Sequence, residues 1–205
     1  MIPDYWPRAK RALARRDPVL GAIIRANPRF TLARRGDPFF TLARSIVGQQ
    51  ISVKAAQSVW ERLAEKAVLM TPEGIAMIDS AGLRSCGLSE RKAGYLHALA
   101  QCFQDGSLHV ERWPEWQDEA VIEDLIQVRG IGRWTAEMFL IFHLLRPNVL
   151  PLSDLGLQNA IRLHYGNGRA LSAKRIRVLA ANWAPWCSVA TWFLWRSLDP
   201  IPVEY

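Results

Sequence analysis

Leu125-Ile126-Gln127-Val128-Arg129-Gly130-Ile131-Gly132-Arg133-Trp134-Thr135-Ala136 is the stretch that decides the fold. Apolar residues three and four apart on either side predict two helices, joined by the four-residue turn Arg129-Gly130-Ile131-Gly132. Gly130 and Gly132 open backbone angles closed to other residues and let a ligand approach the main chain. Ile131 is expected to tuck between the helices and hold the turn. The second helix begins with amides that have no partner inside it. Those amides and the positive end of the helix dipole make a phosphate site. Gly130, Gly132, Arg133 and Thr135 are the expected phosphate-binding residues.

Outward from this hairpin the helical period continues and strand signals are few, which predicts an all-α architecture. Helices are expected over 38–48, 52–67, 90–104, 118–128, 133–145, 155–165 and 173–183, with a last one ending near Leu198. Thr71 before Pro72, Asp79 or Ser80, Ser89, Ser172 and Ser188 are the expected N-caps. Phe39, Leu42, Ala43 and Ile46 should face inward, as should Ala55, Val59 and Leu63. Leu20, Ile23 and Ile24 give part of the N-terminal segment an apolar face. The segment from Glu111 to Asp124 is acidic and is expected to face away from a polyanion.

The chain of 205 residues carries 26 Lys and Arg against 19 Asp and Glu, a formal charge of +7. That balance favours an acidic partner, nucleic acid first. Nine Lys or Arg lie between Arg8 and Arg35, with Asp17 the single acid among them. Cys86, Cys102 and Cys187 are scattered, so neither a zinc ribbon nor an iron–sulfur cluster is supported and no metal site is expected. The longest apolar run, Phe139 to Leu145, is broken by His143 and is too short for a bilayer span. No membrane attachment, a cytoplasmic location and a monomer are expected.

Beyond the hairpin comes Arg146-Pro147-Asn148-Val149-Leu150-Pro151-Leu152-Ser153-Asp154-Leu155-Gly156-Leu157. Asp154 stands where it can cap the helix that follows. A carboxylate held by helix amides is also a fixed negative charge, because such bonds favour its ionised form.

Hairpin, Pro-containing loop and Asp together resemble the helix-hairpin-helix (HhH-GPD) DNA glycosylase superfamily. Gly130-Ile131-Gly132-Arg133-Trp134-Thr135-Ala136, with Trp183-Ala184-Pro185-Trp186-Cys187-Ser188 and Trp195, is similar to its 3-methyladenine DNA glycosylase II branch. The resemblance covers residues 30–198. It implies a two-lobed helical fold with the DNA cleft between lobes: residues 37–146 as one lobe, with the hairpin at 118–145, and residues 1–36 with 147–205 as the other. It also implies a base excision repair enzyme that flips alkylated purines out of double-stranded DNA and hydrolyses the glycosidic bond, with Asp154 catalytic.

Trp134 stands where bifunctional members place a nucleophilic Lys, which implies hydrolysis without lyase activity. Trp134, Trp195 and Met138 are the implied base-pocket residues, Met138 replacing a pocket Tyr. Gln50, in Gly48-Gln49-Gln50-Ile51-Ser52, matches the wedge that fills the gap left by a flipped nucleotide, where the bacterial enzyme has an apolar side chain. An extra N-terminal β-rich domain found in that enzyme is not expected here. No cofactor is implied for catalysis; hairpin carbonyls are a candidate seat for a structural monovalent cation. Two other readings stay open: a non-catalytic module that detects damaged DNA, and a glycosylase for another lesion.

Overall fold

A computed structural model describes residues 2–34 and 36–198. Its elements are α1 (Trp6–Arg16), α2 (Pro18–Ala26), α3 (Pro38–Gly48), α4 (Val53–Ala67), α5 (Pro72–Ala76), α6 (Ser80–Ser85), α7 (Glu90–Gln104), a 3-10 turn (Val110–Arg112), α8 (Asp118–Ile126), α9 (Arg133–Phe142), α10 (Leu155–His164), α11 (Ala173–Ala180) and α12 (Cys187–Leu198). No strand occurs among the described residues, so the all-α reading holds. Helix starts are set by side-chain caps. Asp17, Asp37, Ser52, Thr71, Asp79, Ser89, Asp154 and Ser172 each accept a bond from an amide of the first turn. Proline follows the cap in α2, α3 and α5, where its missing N–H costs nothing.

The chain divides into two compact units: residues 36–139, and residues 2–34 with 140–198. The division falls inside α9, before the 146 read from sequence. Residues 143–146 bond to the terminal segments. Tyr5 Oη donates to the Leu145 carbonyl at 2.6 Å, Arg34 Nη2 lies 2.8 Å from His143 Nε2, and Ser188 Oγ donates to the Arg146 carbonyl at 2.6 Å. Expected lobe residues 1, 35 and 199–205 lie outside the described residues.

In the first unit α7 packs against α3, α5 and α6. Phe39, Leu42, Ala43, Ile46, Val59 and Leu63 are buried as expected. Ala55 is exposed; Trp60 takes the inward place and meets Phe40 edge-on at 4.9 Å. The acidic segment is only partly an outer face. Trp113 and Asp124 are 1% and 3% exposed, and Trp113 Nε1 donates to Asp124 Oδ2 at 2.7 Å. His109 adds a backbone bond to the same oxygen at 3.0 Å, pinning this segment to α8.

In the second unit α12 packs against α1, α2 and α10. Trp6, Ala9, Ala12 and Leu13 form the buried stripe of α1, a helix the sequence reading did not propose. Asp17, 6% exposed, joins the pieces: Oδ1 accepts from the Val19 and Leu20 amides, and Oδ2 from Tyr165 Oη at 2.8 Å and Trp183 Nε1 at 2.9 Å. Burial, then the bond to Asp17, pushes the Tyr165 hydroxyl above its ordinary pKa.

Three helices end two or three residues early. Helix α8 stops at Ile126, α9 at Phe142, where Leu145 turns to φ +55°, and α11 at Ala180. Ser188 is no cap, because α12 already begins at Cys187. Its hydroxyl also accepts from the Val149 amide at 2.9 Å, so it ties α12 to the loop leading to Asp154.

Candidate active site

In the second unit, Asp154 caps α10 and is 5% exposed. Its Oδ1 accepts from the Leu157 amide at 2.6 Å and from Trp195 Nε1 at 2.7 Å. The peptide is held as well: the Asp154 amide donates to the Pro151 carbonyl and the Gln158 amide to the Asp154 carbonyl, both at 3.0 Å. A carboxylate so fixed has one orientation in which to meet developing positive charge. Trp195 stacks on Phe142, with centroids 5.7 Å apart and planes 15° from parallel, and Phe142 meets Trp192 edge-on at 5.9 Å. Of the expected residues, Asp154 and Trp195 are thus brought together. Phe142 is a member the sequence reading missed, hidden in the apolar run from Phe139 to Leu145.

Gly156 explains how the indole reaches the carboxylate. A Cβ there would lie 3.0 Å from Trp195 Nε1 and 3.1 Å from Asp154 Oδ1, tighter than ordinary van der Waals contact.

The hairpin lies in the first unit. Val128, Ile131, Ala136 and Phe139 are all buried, so the pair of helices closes around Ile131 as expected. The Ile131 amide donates to the Val128 carbonyl at 3.0 Å. Gly130 adopts φ +98°, and a Cβ there would run into the Tyr95 ring. Gly132 differs: a Cβ would meet no atom within 4 Å, and the residue is exposed.

Arg133 and Thr135, two of the expected phosphate-binding residues, also have partners within the protein. The Arg133 guanidinium pairs with Glu119, through Nη1 at 2.9 Å and through Nη2, and with Glu137 Oε1 at 3.2 Å. The hydrogen bond from Arg133 holds the Glu119 carboxyl below its usual pKa. Thr135 is 3% exposed, with Oγ1 3.4 Å from Gln49 Nε2. Trp134 is half-buried and Met138, one turn on in α9, is 2% exposed.

The loop after α3 is tied to the hairpin. Gln49 Nε2 donates to the Gly130 carbonyl at 3.0 Å, and Gln50 beside it is exposed with φ +59°. Lys92 Nζ donates to the Val47 carbonyl at 2.7 Å, and both line a hollow of about 280 Å³ with Gln49, Gln50 and Arg91. The tether by Gln49 was not foreseen: from sequence it was one polar residue in a polar connection.

No group of His, Cys, Asp and Glu among the described residues is placed to hold a metal ion, and the three cysteines are free. No described helix is long and apolar enough to cross a membrane.

Comparison with known proteins places this geometry. The chain is 34% identical over 164 residues to a putative DNA-3-methyladenine glycosylase of Bacillus subtilis; the match covers 76% of this chain and spans 57% of the relative's length. A DNA-3-methyladenine glycosidase from Bacillus halodurans superposes with a TM-score of 0.82 at 33% identity, covering 97% of this chain and 92% of that one. A Schizosaccharomyces pombe 3-methyladenine DNA glycosylase, solved with abasic DNA, gives 0.84 at 29% identity, covering 97% and 99%. The model of HhH-GPD superfamily base excision DNA repair proteins matches residues 43–185. The chain belongs to that superfamily.

Proposed function

We propose that this protein is a monofunctional DNA glycosylase that removes alkylated purines, of the 3-methyladenine and 7-methylguanine type, from double-stranded DNA. The observation that carries the reading is the buried Asp154, locked by the Leu157 amide and the Trp195 indole. The target base leaves the helix stack at a cost of a few kcal/mol. The bond between the base and the sugar C1′ then breaks, and its electron pair leaves with the base. An alkylated base is cationic, so it departs neutral. Positive charge builds on the deoxyribose, where Asp154 stabilises it. Water adds to C1′ and gives up a proton, and an abasic site remains.

Trp134, Trp195 and Met138 are the proposed base-pocket residues. An electron-rich indole suits a cationic base through stacking and cation–π attraction. An indole at 134 offers no amine for a Schiff base, so no strand cleavage follows. Gln50, at the apex of its loop, is the proposed wedge. The hairpin amides around Gly130 and Gly132 are the proposed phosphate grip. Arg133 contributes mainly by bracing α9 against α8. Water and side chains alone carry the chemistry, and a monomer acting on damaged duplex suffices.

The test is base release from methylated duplex DNA, wild type against Asp154→Asn. Release of 3-methyladenine or 7-methylguanine by the wild type, falling about a hundredfold or more in the variant, is expected. Binding by both without release by either would replace the enzyme with a damage-binding module.

A further inference from the structure

From Leu155 to Leu198 the chain holds six Lys and Arg and no Asp or Glu. Arg196 is buried against the Trp192 ring, 4.8 Å from its centroid. The other five, Arg162, Arg169, Lys174, Arg175 and Arg177, are all exposed. Local folding brings the first two together. The Gly166 amide donates to the Ile161 carbonyl at 3.1 Å, Gly168 to Arg162 at 3.0 Å, and Arg169 to Gly166 at 2.9 Å. Those bonds fold the loop back over the last turn of α10 and set Arg169 beside Arg162. Ser172 then caps α11, whose Ile176 and Ala180 are 3% exposed, leaving Lys174 and Arg177 on the outer face. None of these five takes part in an ion pair among the described residues.

Like charges so concentrated repel one another and weigh against the compact state. A surface kept for solubility is served better by interspersed signs. A single sign matches a polyanion. Asp154 is at the N-terminus of α10 and Arg162 in its last turn; ten residues of helix separate the two ends by about 15 Å. That is about four base-pair steps of duplex.

We propose that the face formed by Arg162, Arg169, Lys174, Arg175 and Arg177 is a second DNA-binding surface, which holds the phosphates of a duplex segment other than the one opened at Asp154. The surface keeps the protein on undamaged DNA between lesions. It rests on the reading that the protein works on DNA, and not on the reading that it cleaves a glycosidic bond.

The test is a variant with Arg162, Arg169, Lys174 and Arg177 all changed to Gln. On a long undamaged duplex, affinity at low salt should fall at least tenfold, and the slope of log affinity against log salt should become shallower by about three. Single-turnover base release from a short damaged duplex at saturating enzyme should stay at the wild-type rate. A charge-keeping variant, Arg162→Lys, Arg169→Lys and Arg177→Lys, should bind long duplex like wild type. Unchanged affinity and slope in the Gln variant overturn the proposal. So does an equal loss in the Lys variant, which would mark a structural role, or a slower single-turnover rate, which would assign the residues to the site at Asp154. Wild-type protein without base release would sink the glycosylase reading and leave the binding comparison intact.

Discussion

Residues 2–34 with 140–198 carry fifteen Lys and Arg against three Asp and Glu, a formal charge of +12; residues 36–139 carry ten against fourteen, a charge of −4. The hairpin belongs to the acidic region. Of its two arginines, Arg133 is taken up by Glu119 and Glu137, and Arg129 in the turn lies over the Tyr95 ring, 6.0 Å from its centroid. The phosphate grip proposed there draws on backbone amides and a helix terminus, which act at hydrogen-bond range. Long-range attraction is the business of the basic region, and it fades with added salt. That region also shows what an acid must do to be kept. Asp4 is exposed, but Asp17 and Asp154 are buried helix caps, each accepting an indole N–H. Asp17 has both oxygens engaged by four donors, the arrangement of a structural joint.

Four substitutions press on this contrast. The largest effect is expected for Gly130→Ala. The left-handed backbone and the Tyr95 ring both oppose a methyl group, so stability should fall by about 3 kcal/mol in denaturant melts, with loss of DNA binding. Next comes Asp17→Asn. An amide nitrogen facing Tyr165 or Trp183 breaks the joint, at about 2 kcal/mol, while the rate of base release by the folded fraction stays unchanged. Equal damage to rate and stability would erase the distinction between the two caps. Gly132→Ala should move stability by less than about 0.5 kcal/mol, since its Cβ meets nothing, yet weaken duplex binding several-fold by crowding the phosphate. The smallest effect belongs to Arg133→Gln: under about 1 kcal/mol of stability, with the salt dependence of binding unaltered. A slope shallower by about one would show that the hairpin does carry charge to the DNA.

Much of the fold was legible because caps are local chemistry. Thr71, Ser89, Asp154 and Ser172 were readable as caps since each precedes an apolar helical pattern, and each does accept from an amide; of Asp79 and Ser80, left as alternatives, Asp79 is the cap. Ser188 looked the same, but its partners are Arg146 and Val149, some forty residues away in sequence, and no local pattern announces them. Helix α1 is hard to read from sequence because half of its buried stripe is alanine, set among basic residues. Asp124 was counted with its acidic neighbours, although Trp113 and His109 draw it into the core. At the site, Asp154 and Trp195 were legible from their motifs. Phe142 and Gln49 were not, since their roles arise from a stacking partner and a tether that only folding supplies.

Gly156 has a further consequence, for how such chains diverge. Any larger residue there would press the indole back from the carboxylate by a few tenths of an ångström, lengthening a bond now at 2.7 Å. Two positions besides the acid are therefore tied to it: the glycine two places on, and the tryptophan 41 residues downstream. A descendant could not exchange the glycine without also refitting the tryptophan. In sorting unfamiliar members, the joint presence of Asp, Gly and Trp at these intervals is a more discriminating signature than the acid by itself.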